Sequence, residues 1–322
     1  MQSVHAPMRD DIAQAAWLYY VGRLSQQEVS ETLGVSRFKV LRMLAEARDE
    51  GLVRISVEHR TSRTLALADR LTATYGLAEA QVAPVPAAMN DNEDYARTAV
   101  AILGAAFLER LASQGTAMTI SVGWGRTLSR LADTLVRVNN PRLTFVSLMG
   151  TVSRATHTAP GDVCIRLAEQ TGGSAVLMPA PFVADSPEAC AAMMNQRLVR
   201  EALDVARSAT HAIMSVGECR DGAILFDNGI FSAEQLRALR DAGVVGDCCG
   251  SFYRADGSLP DIPLNRCAPK ISTGELAQMD TVILAGGFGK RTATLALLRA
   301  GGVRRLFVDE RLACALLDEE SS

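Results

Sequence analysis

The stretch Ser25–Val53, SQQEVSETLGVSRFKVLRMLAEARDEGLV, restricts the fold more than any other part of this chain. Ser25 followed three positions later by Glu28 is a capping box, which starts a helix by pairing otherwise unpaired backbone donors. Val29 and Leu33 share one helix face. Gly34 ends that helix, because a left-handed backbone is cheap for glycine and costly for other residues. Ser36 can cap a second helix, in which Val40, Leu41, Leu44 and Ala47 recur as a core stripe. At about 100° per residue the opposite face carries Phe38, Lys39, Arg42 and Glu46. Two short helices around a glycine turn, the second basic on its outer side, form a helix-turn-helix, which lays its second helix in the DNA major groove. On that geometry Ser36 starts the reading helix, Lys39 and Arg42 reach bases or phosphates, Arg37 reaches a phosphate, and Phe38 can touch a thymine methyl. The alternative is a helical hairpin with ordinary surface charge. Residues 1–60 hold eight Lys or Arg and eight Asp or Glu, so local charge decides: Ser36–Arg48 has four basic residues against one Glu. Upstream, DIAQAAWLYYV (Asp11–Val21) reads as a buried support helix, and downstream Gly51–Val57 alternates like the strand of a wing.

With 322 residues the chain has room for one small and one large domain. The division expected is 1–57 for the helix-turn-helix, 58–64 (EHRTSRT) for a polar linker, and 65–322 for an effector-binding and oligomerisation domain. A net charge of −3 supplies no global basic field, so DNA binding must come from a local patch and from dimerisation. No run of about 18 apolar residues is present, so no membrane span is expected. No secretory signal is visible at the N-terminus, which points to the cytoplasm. The seven cysteines are odd in number and fit no zinc spacing, so they read as reduced thiols. Four scattered histidines suggest no metal site, and nothing in the sequence calls for a cofactor.

In the larger part, Leu65–Leu77 is an amphipathic helix, Pro84–Asn92 a break, and Tyr95–Ser113 a long apolar helix that is either buried or an oligomer seam. Six β-like runs follow: Met118–Val122, Leu143–Leu148, Ala175–Met178, Ala212–Val216, Thr281–Ala285 and Arg305–Val308, most of them separated by helical stretches. Such alternation predicts an α/β fold with a mainly parallel sheet covered by helices on both faces, behind an all-α winged helix-turn-helix domain.

Ligands of open α/β sheets sit beyond the carboxyl ends of the strands. Four loops stand there. Gly123-Trp124-Gly125-Arg126-Thr127 precedes a helix, so its backbone donors, the helix dipole and the Arg126 and Thr127 side chains can cradle an anion; otherwise it is a glycine-rich turn that binds nothing. Gly286 and Gly287 permit close ligand approach, and Lys290 can pair with a phosphate or sugar oxygen or, if burial lowers its pKa, condense with an aldehyde; otherwise it is a solvated lysine at a helix start. Asp247, between glycines in Val245–Tyr253, can accept sugar hydroxyls or close an Asx-turn. Asp309-Glu310 reads as a helix cap before a ligand contact, and Gly150 with Thr151 completes the rim with little specificity.

The chain resembles the SorC family of bacterial sugar-responsive transcription regulators in its helix-turn-helix segment and in GWGRTL, VGDCCGSFY, AGGFGKRTATLALLRAGG and LFVDERLACALL, which keep the family's order across nearly the whole length. The resemblance implies an effector domain related to sugar-phosphate isomerases and deaminases, and homotetramers, often dimers of dimers, on operator DNA. It implies effectors that are phosphorylated sugars, free sugars or polyols. It places a phosphate at Gly123–Thr127, Asp247 and Phe252 along the ring or chain, and Lys290 at the closure of the site. Ser251 departs from the larger polar residue often found in relatives, which leaves effector size open. The competing reading is an isomerase- or deaminase-type enzyme using His157, Asp162, Asp247 or Asp309, although these form no compact acid–base set in sequence. A helical scaffold protein would leave the basic outer face of the second helix unexplained.

Overall fold

The computed structural model describes residues 6–50, 52–53, 61–152, 160–220, 222–223, 225 and 230–319. The chain divides into compact units of residues 1–58 and 59–322. The expected wing strand past Val53, the first part of the 58–64 linker and His157 lie outside the described residues.

The first unit holds α1 (Ala6–Ala16), which widens into a π-helical turn over Trp17–Val21, then α2 (Gln26–Leu33) and α3 (Arg37–Asp49). Ser25 and Glu28 form the capping box, and Gly34 turns the chain at φ 63°. The Lys39 amide donates to Ser36 Oγ at 3.2 Å. Ile12, Ala15, Ala16, Val29, Val40, Met43, Leu44 and Ala47 make the core. Two expectations need correction. Leu41 is 41% exposed and Met43, at 4%, takes its place, because positions 40, 43, 44 and 47 share one stripe and 41 lies about 100° round the helix from 40. The support helix also starts earlier than expected, and its end is not buried: Trp17 is 66% exposed.

The second unit opens with α4 (Ser62–Tyr75), three residues before the expected helix start, because Thr61 and Thr64 cap it. Among the described residues its strands are β1 (Glu79–Ala83), β2 (Met118–Val122), β3 (Leu143–Ser147), β4 (Ser174–Val176), β5 (His211–Met214), β6 (Gly217–Glu218), β7 (Val244–Cys248), β8 (Ser251–Arg254), β9 (Asp280–Ala285) and β10 (Arg305–Asp309). Seven form one sheet in the order β1-β10-β9-β5-β2-β3-β4, and every neighbouring pair is parallel. Alternate residues of each strand feed separate cores. Ile120, Phe145, Ile213, Leu284 and Phe307 pack against α5 (Glu93–Ala112) and α6 (Arg126–Thr134). Val146, Met214, Ile283 and Val308 join the core that includes Leu67 and Leu71 of α4. Both faces of the sheet are therefore covered, as a parallel sheet requires.

A second, antiparallel sheet, β6-β7-β8, lies where the sequence suggested only a ligand loop. Cys248 pairs with Ser251, so Cys249 and Gly250 are the two central turn residues, at φ 50° and φ 74°. Two consecutive positive φ values match the tight hairpin turn whose twist suits the flanking strands.

Strand order reverses between β2 and β5. From β2 the chain passes to β3 and β4 on one side, whereas β5, β9 and β10 lie on the other. The loops beyond these two strand ends diverge and leave a crevice, the usual ligand position in this class of sheet.

Candidate functional site

A pocket occupies that crevice. It is lined by Arg97, Trp124, Gly125, Arg126, Ser215, Val216, Gly217, Glu218, Ala223, Asp247, Cys249 and Lys290. The loop after β2 contributes one wall, the chain after β5 another, the hairpin of β7 and β8 a third, and Arg97 enters from α5. Gly125 stands at the N-terminus of α6 at φ 112° and offers no side-chain cap, so the first amides of that helix remain free to meet an anion.

Lys290 is half-buried, and its Nζ donates to Val216 O at 2.6 Å and to Ser215 Oγ at 3.1 Å. The Ser215 hydroxyl in turn donates to Leu284 O at 2.8 Å. Burial pulls the Lys290 amine down to about 8, against the opposing pull of Glu218 and with help from Arg97 and Arg126. Burial pushes the Asp247 carboxyl up to about 6, offset in part by the Gly250 amide, Lys290 and Lys270. The Gly250 amide is 3.4 Å from Asp247 Oδ2, a long bond that leaves this carboxylate weakly satisfied. Gly217 gives it room: a Cβ there would stand 2.0 Å from Asp247 Oδ1, so any larger residue would have to move that carboxylate. Burial, with Arg126 nearby, also draws the Arg97 guanidinium below its ordinary value. One side of the pocket thus gathers Arg97, Arg126 and Lys290, and Glu218 and Asp247 bring carboxylates to the same space. Such a set can bind an oxyanion and accept hydrogen bonds from hydroxyls.

Trp124, Gly125, Arg126, Asp247 and Lys290 of the sequence-expected set line the pocket. The others lie elsewhere. Gly123 is packed beneath it, donating its amide to Ile213 O at 2.9 Å. Thr127 is buried in α6, and its hydroxyl has no hydrogen-bond partner among the described residues. Phe252 faces the core and meets the Phe231 ring edge-on at 5.8 Å. Gly286 gives room for α5, since a Cβ would lie 2.7 Å from Ala96 O. Gly287 donates to Asp309 Oδ2 at 2.7 Å, and Asp309 Oδ1 accepts from the Leu312 amide, which makes Asp309 a cap. Gly150 and Thr151 pack on Ala180 and Pro181, away from the lining. Asp162 is paired with Arg166.

Sequence reasoning missed Arg97, the Ser215–Glu218 segment, Ala223 and Cys249. Two of these had a signal. Ser215–Glu218 overlaps the end of the expected run Ala212–Val216, whose strand stops at Met214, so the strand-end rule reaches it. Arg97 shares a helical stripe with Val100, Ala101 and Gly104, where a charge is out of place unless it is used.

In the first unit, Ser36, Arg37, Phe38, Lys39 and Arg42 are all exposed, Phe38 at 86%. Arg37 Nε donates to Gln26 Oε1 at 3.5 Å, tying the start of α3 to α2.

A helix-turn-helix head and an α/β body with a polar pocket at its switch point define a class, the ligand-responsive transcription regulators. A family model described as "Putative sugar-binding domain" matches residues 59–318. The erythritol catabolism regulatory protein EryD of Brucella abortus is 32% identical over 307 residues, 95% of each chain. The deoxyribonucleoside regulator of Bacillus subtilis is 28% identical over 310 residues, 95% of this chain and 96% of its own. The full-length sorbitol operon regulator SorC from Klebsiella pneumoniae superposes with a TM-score of 0.70 at 24% identity, covering 96% of this chain and 99% of its own. The chain belongs to the SorC family of sugar-binding transcriptional regulators.

Proposed function

We propose that this regulator controls a carbohydrate or polyol catabolic operon, reading operator DNA through α3 and sensing a sugar, polyol or sugar phosphate in the switch-point pocket. The observation that carries the effector half is the meeting of Arg97, Arg126 and Lys290 with Glu218 and Asp247 in one pocket. Cations beside an uncapped helix N-terminus suit a phosphate, and the carboxylates suit hydroxyls. The name of the Brucella relative supports a polyol pathway, and that of the Bacillus relative a pentose-containing one. For the DNA half, the exposure of Lys39 and Arg42 on a capped helix supports base or phosphate contact, and we read the exposed Arg37 as a phosphate contact and Phe38 as a contact to a thymine methyl. The working form is a homo-oligomer, a dimer of dimers, because paired heads double the few phosphate contacts that each neutral head offers.

The test is a thermal-shift screen of polyols, sugars and their phosphates on the full-length protein, repeated on Lys290→Ala. A ligand that prefers the folded state raises Tm. The true effector raises the wild-type Tm and alters operator retardation on gels, and Lys290→Ala loses both responses. An effector that acts equally on Lys290→Ala would place the site elsewhere.

A further inference from the structure

The two edges of the Arg97 guanidinium are unequally satisfied. Nη2 lies 2.6 Å from Glu93 Oε2, one helical turn earlier on α5, and Nη1 lies 3.7 Å from Asp94 Oδ1. Nε is buried and has no hydrogen-bond partner among the described residues, although Arg97 lines the pocket. Glu93 is gripped from its other side. Arg220 Nη2 sits 3.2 Å from Glu93 Oε1, and Arg220 Nε sits 2.9 Å from Glu218 Oε2. The chain Arg97–Glu93–Arg220–Glu218 therefore begins and ends at pocket-lining residues. It passes over Gly289, next to Lys290: a Cβ on Gly289 would stand 2.6 Å from Arg220 Nη2 and 2.8 Å from Glu93 Oε1.

A buried N–H without an acceptor is costly, and a guanidinium fork is best satisfied by two oxygens of one anion. Glu93, fixed to the same helix, supplies one contact to the fork and leaves Nε open. A tetrahedral oxyanion entering from the pocket can present one oxygen to Nε and another to Nη2, and so competes for the position Glu93 now holds. Resting on the reading of this pocket as the effector site, we propose that Arg97 is a ligand for the effector's phosphate and that Glu93 is a built-in competitor holding Arg97 until phosphate arrives. Displacement of Glu93 breaks its pairing with Arg220 as well, so arrival of the anion is felt at the start of α5 and at the end of β6 together. A neutral polyol hydroxyl can accept from Nε but carries no charge with which to displace the Glu93 carboxylate, so the pair discriminates phosphorylated from free effectors.

Inorganic phosphate is the probe, titrated calorimetrically into the full-length protein at pH 7 with chloride matching the ionic strength. Glu93→Gln keeps the shape and removes the competing charge. Because Glu93 is partly solvated, the expected gain in phosphate affinity is about two- to fivefold. Arg97→Lys keeps the charge and loses the fork, and is expected to bind phosphate about tenfold more weakly. A merely structural Glu93 would lower the ligand-free Tm on substitution without raising affinity, and that result overturns the proposal. Wild-type phosphate binding that both variants reproduce unchanged overturns it while leaving the pocket's assignment intact. Absence of phosphate binding in all three proteins overturns it together with the reading of the pocket as an anion site.

Discussion

Two ionisable side chains, the buried Asp247 and the half-buried Lys290, face one pocket with their proton affinities moved toward neutrality from opposite sides. Asp247 titrates at about 6 when folded and near 3.8 when unfolded. Between those values the folded chain holds the extra proton, so this group's contribution to stability falls as pH rises through that window. Lys290 titrates at about 8 when folded against 10.5 unfolded. There the unfolded chain holds the extra proton, and stability rises with pH across the interval. Urea unfolding across pH should therefore show the low-pH slope flattened in Asp247→Asn and the high-pH slope flattened in Lys290→Met. The same two groups bound the working range: affinity for an anionic, hydroxylated effector should be maximal between about 6 and about 8, where the carboxylate and the ammonium coexist. Calorimetric affinities that stay flat from pH 5 to pH 9 (a range of about four units around these values) would remove both groups from the contact surface. Sequence could locate these two residues because each stands near a strand end with a chemically marked side chain. It could not separate lining from support. Gly286 and Phe252 look as suited to ligand contact as Gly125, and only packing shows that Gly286 admits α5 and Phe252 backs Phe231.

At the scale of elements, local signals that sum within one helix were legible, and those that depend on a distant partner were not. The capping box at Ser25, the turn at Gly34 and the Ser36 cap all form because each is satisfied within a few residues. β1 was invisible: its sequence EAQVA is short and polar, and it becomes a strand by pairing with β10, more than two hundred residues later. The β7–β8 hairpin was read as a loop because Cys249 at φ 50° hides the usual Asn-Gly signature of such a turn. These elements yield two tests. Gly250→Val places a Cβ at positive φ, 3.0 Å from the Ala268 Cβ, and should cost about 1–3 kcal/mol in urea unfolding and weaken effector binding by shifting Asp247. Lys39→Ala and Arg42→Ala alter an exposed face only, so operator footprints should be lost while the effector-induced rise in Tm is retained. Protection of the operator equal to wild type in both variants would mean that another surface reads the DNA.

For the molecule as a whole, the proposed function requires that two sites on separate compact units share free energy. Linkage makes that requirement reciprocal: the factor by which effector changes operator affinity is the factor by which operator changes effector affinity. A typical coupling of about 1–3 kcal/mol corresponds to roughly 5- to 150-fold in each direction. Calorimetry of effector binding by the full-length chain, with and without saturating operator duplex, measures one factor, and operator titration at saturating effector measures the other. We expect the two to agree and to lie in that range. Lys39→Ala supplies the control, because it keeps the pocket intact and should bind effector with the same affinity whether or not the duplex is present. The control also separates specific linkage from the general effect of a polyanion in solution on a pocket that holds three cations, since competition of free duplex with effector for Arg97, Arg126 and Lys290 would persist in Lys39→Ala. Unequal factors in the two titrations would mean that oligomer assembly changes between them, and equality with a value near one would show that the pocket does not control the operator-reading helix.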